Sequence, residues 1–475
     1  MRNWSAKQIA VFEEVASGTG HTAIQARAGS GKTTTIVEAL NYVPQGLSVL
    51  FVAFNKSIAT ELSTRAPKHV DVMTLHALGF RAVRAAFGKV AVDGDKMKNI
   101  VRKIAGSSKV KIEWDVQMNA VKVASLAKGY LVDSASDLED IIDRHQIMPP
   151  DHAEEFPRFI KLVQKALAAS KADTKTVDFD DMVWFPIVHD LSMKTYDRVF
   201  IDETQDLNAA QVELALRSCE APTGRICAVG DDRQAIYGFR GAASDAFGAL
   251  VTRLNAKVLP LSVTYRCAKA IVRVAQTMVP DLEAAPDAIE GIVRECSISQ
   301  MIAQAQPGDF ILSAVNAPLI GLCVGFLKEG RKANIQGRDV GAKLASMVKR
   351  SKAKTTDELV QWVENWCEEE CARLAKKDKD QDATVDTATC LISLTESVKT
   401  VDEVLARIET LFADTDSKNL IILSSTHKAK GLERDRVFVL RDTYMKRPTQ
   451  EAQNLFYVAV TRARNELVFV KGEVV

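Results

Sequence analysis

The run Ala26-Arg27-Ala28-Gly29-Ser30-Gly31-Lys32-Thr33 has residue types and spacing suited to one task, holding a chain of phosphates. Glycines at 29 and 31 let successive backbone N–H groups turn toward an anion, and a helix opening at the lysine adds partial positive charge. Lys32 would reach the outer phosphates and the Thr33 hydroxyl would ligate Mg²⁺, with Ala28, Gly29, Ser30 and Gly31 completing the cradle. The first glycine of the general pattern is replaced by Ala26. Such a loop requires acids at the end of a neighbouring strand. Val199-Phe200-Ile201-Asp202-Glu203 supplies them: three apolar residues for a buried strand, Asp202 to hold the metal through water, and Glu203 to polarise an attacking water as general base. The chemistry implied is hydrolysis of a nucleoside triphosphate.

A parallel sheet must carry these side chains. Short β-branched, apolar runs at 22–26, 47–54, 199–201, 225–229 and 258–263 read as strands, and runs at 310–313, 420–424, 437–440 and 467–470 form a second set. Helical spacing at 33–40 and 209–217 separates strands in the manner of an α/β fold with parallel sheets. Two clusters of strands imply two such domains, the first built from 1–82 and 176–262 and the second from 263–339 and 415–475. Between 83 and 175 strand signals vanish and helical periodicity dominates at 117–131, 137–145 and 153–170, so a helical insert is expected there. Residues 340–414 read as a second helical insert, and the charged run 376–382 as an exposed turn.

A chain of 475 residues is too long for one hydrophobic core. With 47% hydrophobic and 26% charged residues, no apolar run approaching the roughly 20 residues of a membrane span, and no apolar signal region at the N-terminus, a soluble cytoplasmic protein with no membrane partner is expected. Eight cysteines are scattered from Cys219 to Cys390, and no second pair lies near Cys367 and Cys371, so reduced thiols are expected rather than a zinc or iron–sulfur site. The net charge of +1 gives no global sign of a nucleic-acid partner. A protein that binds nucleic acid only transiently needs only local basic strips. One candidate strip holds Lys96, Lys98, Arg102, Lys103, Lys109, Lys111, Lys122 and Lys128 against Glu113 and Asp115. It either contacts a DNA backbone or simply solvates a helix face.

Further motifs extend the pattern. Trp4-Ser5-Ala6-Lys7-Gln8, Phe54-Asn55-Lys56-Ser57-Ile58-Ala59 and Thr74-Leu75-His76-Ala77-Leu78-Gly79 resemble the Q motif and motifs Ia and Ib of superfamily 1A DNA helicases, the UvrD/Rep/PcrA family. Asp202-Glu203-Thr204-Gln205-Asp206 is similar to the family's DExx box, with Gln211 at its trailing glutamine. Residues 229–242 resemble motif III, Thr264-Tyr265-Arg266 motif IV, 425–433 motif V and 455–463 motif VI. The resemblance runs in order from residue 4 to residue 464. It implies two RecA-like P-loop domains with ATP between them, Lys32, Asp202 and Glu203 on one wall and Arg266 and Arg462 on the other. It further implies that Gln234 senses the γ-phosphate, Gln8 reads the adenine, Tyr265 stacks on it, and Glu433, beside Gly431, holds the ribose. Phe54, Thr74, His76, Tyr237, Phe239, Arg240 and His427 take family positions along a channel for single-stranded DNA, where stacking rings and phosphate contacts are needed. Single strands, single-strand/duplex junctions and movement from 3′ to 5′ in replication, repair, recombination or phage defence are thereby implied.

Departures from the family are specific. Arg27 stands where glycine is usual, Thr34 where an adenine-stacking arginine is common, and Arg434 where an aromatic is usual. Arg266 and Thr426 are 160 positions apart, so the family's regulatory 2B insert must be much reduced. The sequence runs a dozen residues past Arg462, so no appended nuclease or partner-binding tail is expected. Those features raise an alternative, a DNA-sensing ATPase subunit that regulates a separately encoded nuclease without processive unwinding. A nuclease or a replication or repair protein is the expected kind of protein partner.

Overall fold

The computed structural model describes residues 4–108, 111–145, 147, 155–236, 246–376, 381–412, 419–444 and 449–472. It divides into two compact units, Met1–Ser262 and Val263–Val475. Each unit is built on a six-stranded sheet in which every neighbouring pair runs parallel. This is the α/β class with a RecA-like sheet in each half.

In the first unit the strands are β1 (Thr22–Ala26), β2 (Val49–Ala53), β3 (Val70–Thr74), β4 (Ala91–Val92), β5 (Thr176–Val177), β6 (Arg198–Ile201), β7 (Arg225–Gly230) and β8 (Lys257–Leu261). The sheet order is β3-β2-β6-β7-β1-β8, and β4 and β5 form a separate short pair. A parallel sheet needs apolar cover on both faces. One face packs Phe51, Phe200 and Val229 against Val11, Phe12 and Ile36; the other packs Leu50, Val52, Val199 and Ile201 against Leu78, Leu214 and Leu250. Because the strands are parallel, the segments following β1, β2, β6 and β7 all leave the same edge of the sheet, where such folds bind ligands.

Five helices, Leu75–Phe87, Lys96–Gly106, Trp114–Tyr130, Ala135–Arg144 and Phe156–Ala172, occupy the region between β3 and β5. The last four enclose a core of their own that includes Val101, Val123, Ile142, Phe159 and Val163. Four features differ from the sequence reading, one of them the unread strand β5. β3 is a strand the sequence did not show, β4 lies inside the stretch read as wholly helical, and the run 258–263 is broken at Ser262. β8 ends at Leu261 in the first sheet, while the next residues pair in the second unit.

The second unit contains β9 (Val263–Thr264), β10 (Glu283–Ala284), β11 (Ile292–Ser297), β12 (Phe310–Ser313), β13 (Ala333–Gln336), β14 (Ile421–Ser425), β15 (Arg434–Leu440) and β16 (Ala463–Lys471). Its six-stranded order is β11-β16-β15-β12-β14-β13. Between β13 and β14 lie the helices Arg338–Ser351, Thr356–Ala375, Asp382–Thr395 and Val401–Leu411. The Asp386 carboxylate accepts the backbone N–H groups of Asn316 and Ala317 at 3.0–3.1 Å, so this helical segment caps the helix Ala317–Lys328. Residues 377–380 of the charged run lie outside the described residues. No described helix is long and apolar enough to cross a membrane.

Candidate functional site

The phosphate-loop sequence turns between β1 and the helix Lys32–Ala39. Gly29 and Gly31 take φ of 72° and 74°, left-handed values that disfavour a side chain, and so direct backbone N–H groups into the turn. The buried Ser30 hydroxyl has no hydrogen-bond partner within the chain. An unpartnered buried donor in a glycine turn at a helix start fits a phosphate oxygen.

At the end of β6, Asp202 is 2% exposed and Glu203 follows in a left-handed conformation, φ 51° and ψ 41°. A non-glycine residue held there is strained, and the turn brings its carboxylate back over the phosphate loop. Glu203 Oε1 lies 2.5 Å from Lys32 Nζ, and Gln205 Nε2 donates to Glu203 Oε2 at 2.5 Å. Burial lowers the affinity of Lys32 for its proton, but Glu203, Asp202 and Asp231 outweigh it and the ammonium is held above its ordinary pKa. Burial pushes Asp202 up to about 6, against the opposing charge of Lys32. A buried carboxylate at the end of β6, separated in the sheet only by β7 from the strand that leads into the Thr33 loop, fits a divalent cation.

After β7, Asp231 is fully buried and accepts from Gln234 Nε2 at 2.7 Å, while its N–H donates to Gln205 Oε1 at 3.1 Å. Gln234 is thereby connected to Glu203 through Asp231 and Gln205. Gln8 is buried in a capping box with Ser5, its Oε1 accepting the Ser5 N–H, and its Nε2 donates to the Thr35 hydroxyl at 2.8 Å. The structure therefore brings Gln8, the phosphate loop, Asp202, Glu203 and Gln234 together.

The arginines gather in the second unit. Arg266 pairs with Glu433 and donates to the Thr461 carbonyl at 3.3 Å, and Glu433 also pairs with Arg464. Arg462 is 1% exposed and donates to the carbonyls of Val458 and Leu432 at 3.0 and 3.1 Å. Burial first, and the Arg266 charge next, bring its pKa down to about 10. Tyr265 is exposed, and Gly431 has φ 86°.

Among the residues expected along a DNA track, Phe54 is 45% exposed directly after β2, Thr74 caps the helix Leu75–Phe87 through Ala77 N–H, and His76 is half-buried. Burial lowers the His76 pKa, with Asp180 opposing it. His427 sits in the short helix Thr426–Ala429 of the second unit. Tyr237, Phe239 and Arg240 lie outside the described residues. Gln211 completes the capping box of Asn208.

Sequence reasoning passed over two aromatics. Phe179 is exposed at the start of the helix Phe179–Val188, next to Asp180, which shares a small cavity with His76. Its signal was the Asp178–Asp181 capping box, which fixes the helix start and leaves position 179 outward. Trp114 is 52% exposed, with Lys98 Nζ and Arg102 Cζ 5.7 and 5.6 Å from its ring centre.

The basic strip is not one surface. Lys96 and Lys128 are buried, Lys96 Nζ binding Asp181 at 2.7 Å and Lys128 Nζ binding Asp178 and Asp181 at 2.7 Å each. Their aliphatic stems fill the insert's base and their charges are spent internally. Arg102, Lys103, Lys111 and Lys122 are exposed and Lys98 is half-exposed, whereas Lys109 lies outside the described residues. Cys367 and Cys371 are free thiols with sulfurs 4.0 Å apart.

A family model described as the UvrD/REP helicase N-terminal domain matches residues 8–253, more than half of the chain. The chain belongs to the UvrD/REP helicase family. A second model, the UvrD-like helicase C-terminal domain, matches residues 420–470. Relatives of this UvrD/REP member include F-box DNA helicase protein 1 of Schizosaccharomyces pombe, 25% identical over 94% of this chain and 55% of that protein. F-box DNA helicase 1 of Gallus gallus is 25% identical over 94% of this chain and 47% of its own length. The ATP-dependent DNA helicase Rep of Buchnera aphidicola is 23% identical over 55% of this chain and 42% of that protein. The chain thus spans about half the length of the F-box helicase relatives it matches.

Proposed function

We propose that this UvrD/REP family member is an ATP-hydrolysing motor that translocates 3′ to 5′ on single-stranded DNA and unwinds duplex. The observation that carries the reading is the Lys32–Glu203 ion pair above a left-handed glycine turn, with Asp202 and Gln234 joined to it. A γ-phosphate reaching Lys32 competes for its ammonium and frees Glu203 Oε1 to accept a proton from an attacking water. Thr33 and Asp202 would hold Mg²⁺, which when bound neutralises phosphate charge. Arg266 and Arg462 are the cations assigned to the charge developing on the transferring phosphate. Tyr265 and Glu433 are assigned to the nucleoside. Residues 1–82 and 176–262 form the ATP-binding domain in this reading, 83–175 its insert, 263–339 and 415–475 the second motor domain, and 340–414 a reduced insert.

Phe54, Thr74, His76 and His427 are assigned to the DNA track, with Phe179 added from the structure and with Tyr237, Phe239 and Arg240 from the sequence. Aromatic rings and polar side chains beside them provide the stacking and phosphate contacts that single strands require. The deciding experiment is steady-state ATP turnover with and without single-stranded DNA. At least a tenfold rise on adding DNA is expected, about 1.4 kcal/mol in the barrier; a rate indifferent to DNA would remove the motor reading. Displacement of a strand from a 3′-tailed duplex then separates a helicase from an ATPase that only senses DNA.

The exposed part of the basic strip gives a second measurement. Replacing Lys98, Arg102, Lys103 and Lys111 by Gln should flatten the dependence of log affinity on log salt by up to about 0.7 per lost phosphate contact with single strands. A fluorescence-anisotropy salt series checks it, and an unchanged slope would show a solvated helix face. Lys96 and Lys128 are excluded because their replacement disturbs the fold instead.

A further inference from the structure

We propose that Arg27 is a positioning residue that clamps the loop carrying Asp231, Asp232 and Gln234 to the phosphate loop, so that the γ-phosphate sensor is held ready for the nucleotide. The inference rests on the ATP-hydrolysing reading given above. Arg27 is fixed by its backbone on both sides: its N–H donates to the Leu261 carbonyl at 2.9 Å, and its carbonyl accepts from Ser30 N–H at 3.1 Å. The side chain is 6% exposed, and Nη1 donates to Asp231 Oδ1 at 3.1 Å and to Asp232 Oδ1 at 2.6 Å. Gln25, two residues before it on β1, donates to the same Asp232 oxygen at 2.8 Å. One guanidinium therefore joins the start of the phosphate loop to two consecutive carboxylates of the loop after β7.

The connection continues to the reacting groups. Asp231 Oδ2 accepts from Gln234, and its N–H reaches Gln205, which holds Glu203, the partner of Lys32. A glycine at position 27, the usual residue of the family, could make none of the side-chain contacts. Their cost would be paid at Asp231, since a fully buried carboxylate needs a compensating cation close by. Burial raises the Asp231 pKa, Arg27 is the largest opposing influence, and Gln234 and Lys32 oppose it further while Asp232 adds to it. The groups facing Asp231 are thus Arg27 and Lys32 as cations, Asp232 as an anion, and Gln205 and Gln234 as neutral hydrogen-bond partners.

Two readouts test the clamp in the full-length chain. Hydrogen–deuterium exchange of the peptide covering residues 228–236, without nucleotide, should be about tenfold faster in Arg27→Ala than in wild type, while exchange in the helix Ala317–Lys328 of the other unit stays unchanged. DNA-stimulated turnover should show kcat lowered by about tenfold with KM for ATP altered less than about threefold, since a misplaced sensor acts on the transition state. The acid limb of kcat should also move to higher pH: with Arg27 gone, Asp231 takes up its proton at higher pH, and the hydrogen bond it accepts from Gln234 is weaker there because its acceptor is no longer charged. Arg27→Lys should restore the acid limb and part of kcat, because it returns the charge as a compact ammonium without the planar guanidinium. Unchanged exchange in the 228–236 peptide would overturn the clamp whatever the kinetics. An inactive wild type would instead remove the ATPase reading, and the exchange comparison would still decide whether the clamp exists.

Discussion

Lys32→Ala is expected to lower DNA-stimulated ATP turnover by about 10³-fold, measured as steady-state phosphate release. The loss has two sources that act together. The ammonium is the donor placed at the phosphate loop, and it is also the cation that offsets three carboxylates, Glu203, Asp202 and Asp231. Those carboxylates hold its pKa above the ordinary lysine value despite burial, so it is charged throughout the neutral range. Its removal takes away the main influence opposing the burial of Asp202, whose pKa already stands at about 6. Asp202 then moves further toward its neutral form, which is a poor ligand for a divalent cation. Loss of kcat should exceed loss of nucleotide affinity, because the backbone cradle at Gly29 to Gly31 remains. Lys32→Arg keeps the charge but places a planar fork where a compact ammonium fits, and should recover little. Turnover within tenfold of wild type in Lys32→Ala would mean that the constellation after β1 and β6 does not carry the reaction.

How far the sequence disclosed this arrangement depended on where each group finds its partner. The phosphate loop was legible because its partners are its own backbone, and the strand before it is buried on both faces. Interior strands β2, β6, β7, β12 and β14 are continuous apolar runs for the same reason. Of the four edge strands, β8 was read from its apolar run, whereas β3, β11 and β13 were not legible, because polar residues such as Asp71, Arg294, Glu295 and Asn334 interrupt their pattern. The helix Lys96–Gly106 lay inside the expected helical insert, but its bounds and its buried lysine were not read. Its apolar residues Met97, Ile100, Val101, Ile104 and Ala105 follow helical spacing, but the basic residues between them were read together as one strip, for a DNA backbone or for solvent.

Charge was the least legible property of the site. Arg27 is a departure from the family pattern whose partners lie more than 200 positions later in the chain. Lys96 and Lys128 looked like surface cations, yet the acids that neutralise them are at 178 and 181, brought near only by the folded helices. Composition counts charges without telling which are paired. Only the fold assigns some of them to solvent and others to the interior.

Asp181→Leu is therefore expected to destabilise the first unit by about 3–5 kcal/mol, the cost of leaving a buried charge without its partner. Asp181 is wholly buried and accepts from Lys96 Nζ, Lys128 Nζ and the Ser170 hydroxyl, and it answers Asp178 in the capping box of the helix Phe179–Val188. With Asp178 the group holds two acids and two ammonium groups, and removal of Asp181 leaves two cations facing one anion. The double variant Asp181→Leu/Lys96→Met restores a one-to-one balance between Lys128 and Asp178, and should recover more than half of the loss. Urea unfolding followed by tryptophan fluorescence, in a background with Trp4, Trp362 and Trp366 replaced by Phe so that Trp114 and Trp184 report, follows the insert and its base, since Trp184 lies 5.5 Å from Lys128 Nζ. If the single variant unfolds within about 1 kcal/mol of wild type, the charges are reached by water and the network does not anchor the insert. If instead the single variant falls and the double recovers, the insert is held to the ATP-binding unit by charge balance, and the helix bearing Asp180 opposite His76 takes its position from the same four residues.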